Sequence, residues 1–257
     1  MRAAEQEALL LRQVAALRRR GRSQLEALSL TADGLAQGGL ADRVARAVAD
    51  LQAGRVSEDL LGRDGDPRAL EHAAAAIDAR LAAGNALLLT RLYATGAGVI
   101  LMLGLVLMGW TGEGMGQISE DIPILQGVLR VLRRVGPVVS IAVVAALWVF
   151  SARHTPGGPR LQRASALLTA AAQGTDPMPI LAGQPVEQAY FEARRQRVGP
   201  GPAAAELADE LTDEAKRILV WFHHLAPALA ALVVGPLLFF AWLGAYALPV
   251  LRMAGSP

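Results

Sequence analysis

Cysteine is absent from this chain of 257 residues, which excludes disulfides, thiolate metal ligands and thiol nucleophiles. Aromatic residues make up only 5% of it, and none occurs before Tyr93. Any core in the first third is therefore aliphatic, and it buries less area per residue than a core with aromatic anchors. Glu5 and Glu7 lie where an export signal needs an apolar core, so we expect no cleaved signal peptide.

Charged residues are also missing from three apolar runs, and much of the 53% hydrophobic content is concentrated there. The longest run, Ile218–Leu251, holds 34 residues, and the shorter runs are 92–110 and 135–152. A helix of about 20 apolar residues crosses a bilayer, so each run predicts a transmembrane helix. The sequence therefore predicts an all-α integral membrane protein.

The remaining segments have helix-period apolar positions interrupted by glycine and proline. In the first block Gly21, Gly38-Gly39 and Gly54 mark breaks, and Pro67 suits the first turn of a long last helix. The predicted organisation is a cytoplasmic helical block at 1–91, transmembrane helix 1 at 92–110, a periplasmic segment with an amphipathic helix at 111–134, transmembrane helix 2 at 135–152, a reduced second cytoplasmic helical block at 153–217, an interfacial plus transmembrane helix 3 at 218–251, and a periplasmic tail at 252–257.

The distribution of basic residues predicts the orientation. Residues 1–91 hold thirteen arginines and 153–217 hold eight Lys or Arg, whereas 111–134 holds three and the tail holds Arg252 alone. Basic segments stay in the cytoplasm by the positive-inside rule. We therefore expect a multi-pass protein of the bacterial inner membrane with its N-terminus in the cytoplasm.

The densest charge is the run Arg18-Arg19-Arg20-Gly21-Arg22. One interpretation is a solvated helix C-terminus, where cations interact favourably with the helix dipole. The other is contact with an acidic protein surface or with anionic lipid headgroups. Nucleic acid is not expected, because acidic residues of the same block almost cancel the charge. The candidate partner-binding residues are Arg18, Arg19, Arg20 and Arg22.

Two groups of side chains are candidates for a reactive or metal site. His223 and His224 are adjacent, so on a helix they point about 100° apart, whereas metal-binding pairs lie at i,i+4 on one face. A solvated helix face accounts for the acidic cluster Asp209, Glu210, Asp213 and Glu214. The sequence contains no phosphate loop, dinucleotide fingerprint or serine elbow. We therefore expect no enzyme, with no catalytic residue, metal or cofactor.

Four stretches of the sequence, taken in order along the chain, carry a resemblance to a known family. Leu11–Leu28 reads LRQVAALRRRGRSQLEAL, and Leu51–Leu61 reads LQAGRVSEDLL. Val198–Pro227 carries an acidic helix into the last run, and Leu248-Pro249 follows. In this order they resemble the F-type inner-membrane platform protein of type II secretion and type IV pilus assembly, over nearly the whole chain. Here Gly199-Pro200 replaces the family's Gly-Glu turn and the second block is shorter, so no metal ligand is carried over.

The resemblance implies a scaffold that docks a cytoplasmic assembly ATPase and passes its motion to pilin-like subunits. It also implies contact with other inner-membrane machine components and with the lipid bilayer, and a homo-oligomeric assembly. Two alternatives stay open, a subunit of a membrane transporter and a membrane adaptor or sensor unrelated to secretion. Transport is less favoured because the apolar runs lack the ionisable residues that usually mark an ion path.

Overall fold

The computed structural model describes residues 3–32, 34–35, 38–55, 66–114 and 155–242, together with eight residues between 138 and 149. All regular secondary structure in these residues is helical, which confirms the all-α class. The helices are α1 (Ala3–Arg19), α2 (Gln24–Ala32), α3 (Gly39–Gln52), α4 (Pro67–Gly114), α5 (Gly158–Gln173), α6 (Pro185–Val198) and α7 (Pro200–Trp242). The predicted amphipathic helix before 135, the end of the third run after 242 and the tail lie outside the described residues.

Glycine and proline set the helix boundaries as predicted. α4 begins at Pro67 and α3 ends two residues before Gly54. Gly157, which precedes α5, has a φ of +70°, and a Cβ atom there would lie 3.0 Å from the carbonyl oxygen of Ala215 in α7. Both the left-handed backbone and this close approach require glycine. Gly157 therefore allows the start of α5 to pack against α7.

Residues 1–85 and 157–217, which are far apart in the sequence, form one compact unit, called unit 1. It contains two clusters of buried residues. The first core takes Leu10, Leu28 and Val44 from the first three helices and Leu70 from α4. The second core combines residues of α5, α6 and α7 around Phe191, which is fully buried.

Helix α4 contributes to both cores. Leu70 and Ala74 belong to the first core, and Ala76 belongs to the second. At about 100° per residue, Ala74 and Ala76 lie about 200° apart around the helix axis. The alanine-rich start of α4 is therefore buried on two opposite sides, and its small side chains allow helices to approach from both.

A buried serine adds a polar link between α4 and α5. The Ser165 hydroxyl donates to the carbonyl oxygen of Ala76 at 2.9 Å, and Arg80 Nε donates to Ser165 Oγ at 3.1 Å. Ser165 is 2% exposed. Because a buried hydroxyl needs partners, these bonds favour one register between the two helices.

Residues 86–156 and 218–257 form a second compact unit, called unit 2. It receives the later parts of α4 and α7. Most large apolar side chains that are exposed in the described residues belong to this unit; the exceptions are Leu9, Leu30, Val186 and Val198. A surface this rich in exposed apolar residues indicates contact with lipid or with other apolar chains.

Two of the glycines in the first apolar run lie at helix contacts within unit 2. A side chain at Gly98 would clash with Val144, and one at Gly104 would clash with Leu238 of α7. Gly96 has open space around it. Small residues of this kind let membrane helices approach closely.

One helical stretch among the described residues, Pro67–Gly104, is long and apolar enough to cross a membrane. Only 17% of its most apolar window is buried within the protein. The core helix of a soluble protein would be mostly buried, so this exposure is consistent with membrane association.

Candidate partner-binding surface

The four candidate arginines lie around the turn between α1 and α2. Arg18 and Arg19 occupy the last turn of α1, and Gly21 follows with a φ of +81°. The Arg22 N–H donates to the carbonyl oxygen of Leu17 at 3.2 Å, and the Gly21 N–H donates to that of Arg18 at 3.0 Å. This pair of bonds is the Schellman arrangement that ends many helices.

The start of α2 is fixed as well. The backbone N–H of Glu26 donates to Ser23 Oγ at 3.1 Å, which satisfies one of the free donors of the first turn. The Arg18 guanidinium donates to the carbonyl oxygen of Arg22 at 3.2 Å. The turn is therefore held by hydrogen bonds on both sides, and the arginines project from a defined backbone.

Two of the arginines already have carboxylate partners. Arg19 is ion-paired with Glu71 of α4, and Arg22 is ion-paired with Glu26 of α2. Arg20 is exposed. Exposed ion pairs contribute about 0–1 kcal/mol, so a partner carboxylate could replace the internal one at little cost. The arginines therefore lie at a helix C-terminus, where their charge suits the helix dipole. They also form a set of accessible cations.

The pKa of His72 on α4 is shifted by its surroundings in unit 1. Burial lowers the pKa of His72 from its ordinary value of 6.5, while Asp209, Glu71 and Asp66 act in the opposite direction and Arg68 adds to the lowering. The neutral form is therefore favoured in the folded protein. No motif in the sequence draws attention to His72; the nearby position of Asp209 comes from the packing of α4 and α7.

The histidine pair lies on the first part of α7 that belongs to unit 2. Tyr93 of α4 packs edge-on against His223 at 5.8 Å and against Phe222 at 6.1 Å between ring centroids. His224 is exposed. The arrangement is an aromatic contact between α4 and α7.

The acidic cluster of α7 lies on an exposed face. Glu214 accepts from Arg160 at 2.9 Å and Asp213 accepts from Lys216 at 3.2 Å. Across the described part of the chain, no three His, Asp or Glu side chains are grouped so that they could hold a metal. Glu214 and Asp213 are therefore each paired with a nearby cation.

A polar cluster in unit 2 was not predicted. Arg91 lies over the ring of Trp148, with Cζ 5.0 Å from the ring centroid, and Trp148 Nε1 donates to Thr95 Oγ1 at 3.0 Å. Arg91 directly precedes the first apolar run, and Trp148 lies near the end of the second. An arginine and a tryptophan at the same side of two predicted spans are a signal that could have indicated the pair.

Comparison of the chain with known proteins finds no matching family, no matching curated protein and no matching solved structure.

Proposed function

We propose that this chain is a non-enzymatic platform protein of the bacterial inner membrane, similar to that of type II secretion or type IV pilus assembly. Its cytoplasmic part docks an assembly ATPase, and its membrane part contacts pilin-like subunits. Three transmembrane helices at 92–110, 135–152 and 218–251 would separate the two cytoplasmic segments from the periplasm.

The observation that carries the proposal is that two distant parts of the sequence together form unit 1. A chain that enters an apolar region after residue 85 returns at residue 157 to complete the same compact helical unit. α4 and α7 each begin in unit 1 and end in unit 2.

Long continuous helices suit a mechanical coupling role. A bound partner that displaces unit 1 also displaces the first parts of both helices, because these parts belong to its cores. Closely packed interiors transmit such strain and do not absorb it. The motion would then reach the membrane part through the helices themselves, with no reactive group required.

The arginine surface is the proposed docking site for the ATPase. Guanidinium groups form bidentate contacts with carboxylates, and the turn that carries them is fixed by its own hydrogen bonds. The test reverses Arg18, Arg19, Arg20 and Arg22 to Glu in the full chain. Capture of the purified assembly ATPase from the same genome is then measured, together with helix content and membrane insertion.

The expected result is a loss of about tenfold or more in capture, since one charge-assisted hydrogen bond contributes about 1.5–3 kcal/mol. Insertion and helix content should stay close to the parent, because the internal pairs are exposed. Reversal of Arg194, Arg195 and Arg197 on α6 is a matched control. Two of these residues also pair with nearby carboxylates, and their reversal should leave capture intact.

A second control replaces His223 and His224 together with Gln, which should change neither assembly nor metal content. The scaffold proposal is contradicted if the histidine change abolishes export while the arginine reversal leaves capture and export untouched. That result would indicate chemistry at the entry to the membrane.

A further inference from the structure

Unit 2 contains an apolar cavity of about 540 Å³ between α4 and the described helical residues that lie between 138 and 149. Val99 and Met102 line it on α4, and Ile141, Val144 and Ala145 line it on the opposite side. Its volume falls within the range of about 300–1,000 Å³ that is typical of ligand sites. Nearly all of its lining is apolar, so it suits a hydrocarbon group.

One end of the cavity lies beside a cluster of polar side chains. Thr95 and Trp148 both line the cavity and are hydrogen-bonded to each other at 3.0 Å. The Thr95 hydroxyl in turn donates to the backbone carbonyl of Arg91 at 2.8 Å. The Arg91 guanidinium lies over the Trp148 ring, where a cation–π contact favours it. These contacts place a cation against Trp148, which lines the cavity at its Thr95 end.

No acidic residue lies close to Arg91 or Trp148 in the sequence to balance the charge of Arg91. Arg91 Nε is buried and, within the described part of the chain, has no hydrogen-bond partner. Neither residues 79–112 nor residues 122–175 contain an Asp or Glu. A buried donor without a partner is costly, and the two stretches that form the cavity supply no carboxylate. Nε itself is enclosed, but Arg91 as a whole is only partly buried, so an anion from outside the chain could balance the charge of the guanidinium.

We propose that this cavity binds one anionic phospholipid, with an acyl chain in the cavity and the phosphate on Arg91. Arginine binds phosphate through two parallel N–H bonds, and basic pockets between membrane helices on the cytoplasmic side bind anionic headgroups. Arg91 precedes the first predicted span and Trp148 lies near the end of the second, so the predicted orientation places both near the cytoplasmic leaflet. The proposal rests on the membrane insertion proposed above and not on the identity of the ATPase.

The nearby charge favours a lipid over a partner helix as the occupant. A flexible acyl chain can follow an apolar groove of this size, and a phosphate beside Arg91 supplies the charge that an apolar helix lacks.

The test follows the fluorescence of Trp148 in the full chain, with Trp110, Trp221 and Trp242 replaced by Phe. Detergent-purified protein is titrated with phosphatidylglycerol or phosphatidylcholine whose acyl chains carry bromine, which quenches a nearby indole. We expect phosphatidylglycerol to reach half-quenching at about fivefold lower lipid content, which corresponds to the contribution of about 1 kcal/mol from one basic residue.

Arg91→Gln should remove this preference, and Arg91→Lys should retain part of it. Ala145→Phe, which fills the cavity, should weaken quenching by both lipids. Arg217→Gln is the matched control, since it removes an exposed cation shortly before the third apolar run, and it should leave the preference unchanged.

Equal quenching of the parent by the two lipids, or an unchanged preference in Arg91→Gln, would overturn the lipid site and favour an apolar helix as the occupant. A separate extraction with alkaline carbonate distinguishes the two proposals. A chain released from membranes would refute the insertion on which both depend, whereas an inserted chain without lipid preference would refute the lipid site alone.

Discussion

Replacement of Phe191 by alanine tests whether unit 1 unfolds as one cooperative domain. Phe191 is fully buried in the second core, together with Leu167 and Leu181. The first core lies on the other side of α4, around Leu28. If α4 couples the two cores, a loss of packing at Phe191 must also lower the stability of the first three helices.

The size of the effect follows from the burial. Phe→Ala at a fully buried position costs about 3–5 kcal/mol through lost transfer free energy and the remaining cavity. Domains are typically stable by about 5–15 kcal/mol, so the variant loses a large fraction of the stability of the unit. At 1.4 kcal/mol per factor of ten, the unfolded population rises about 100- to 4,000-fold.

Hydrogen exchange of the full chain measures this loss of stability in helices that do not contain the mutation. The most protected amides of α1 and α2 exchange through global opening if unit 1 is cooperative, and they should accelerate by the same factor. Val186→Ala on the same helix α6 is the control. Its side chain is 80% exposed, and the exchange of the first core should not change.

Acceleration confined to residues 158–217, with α1 and α2 as protected as in the parent, would refute the reasoning. The two cores would then be independent, and α4 would be a connection between them and not a shared element.

Three further outcomes are expected. Alkaline phosphatase fused after Arg252 should be active and the same reporter fused near residue 190 should not, because the basic segments are predicted to stay in the cytoplasm; the reverse pattern would contradict the orientation. Because burial lowers the pKa of His72, its stabilising contribution is complete above the unfolded pKa of about 6.5 and is lost as the pH falls through the lower folded pKa. His72→Gln should therefore reduce the decline of the urea midpoint between pH 7 and pH 5, and an identical decline would contradict this. Gly98→Leu should lower the thermal stability of the detergent-solubilised chain by about 1–3 kcal/mol through overpacking against Val144, whereas Gly96→Leu should not; equal losses would exclude the packing explanation.

Much of the helical structure follows from local signals in the sequence. Pro67 begins α4 because proline suits the first turn of a helix. The break at Gly21 follows from the left-handed backbone that only glycine adopts without strain. The three uncharged runs predict where apolar surface is exposed, since a segment without charged residues is compatible with lipid on all sides. The arginine turn is predicted in the same way, from charge density beside a helix end.

The tertiary structure alone decided which segments pack together. The stretch Ala73–Ala76 consists of four alanines, so it has no alternation of apolar and polar positions that would mark a buried face. The sequence therefore does not show that α4 contributes to two cores. The contacts of the arginine turn and of the cluster around Trp148 could not be predicted from local sequence either. Arg19 meets Glu71 across 52 positions and Trp148 meets Thr95 across 53. Contacts of that length depend on how the helices pack, whereas the helices themselves depend on residues only a few positions apart.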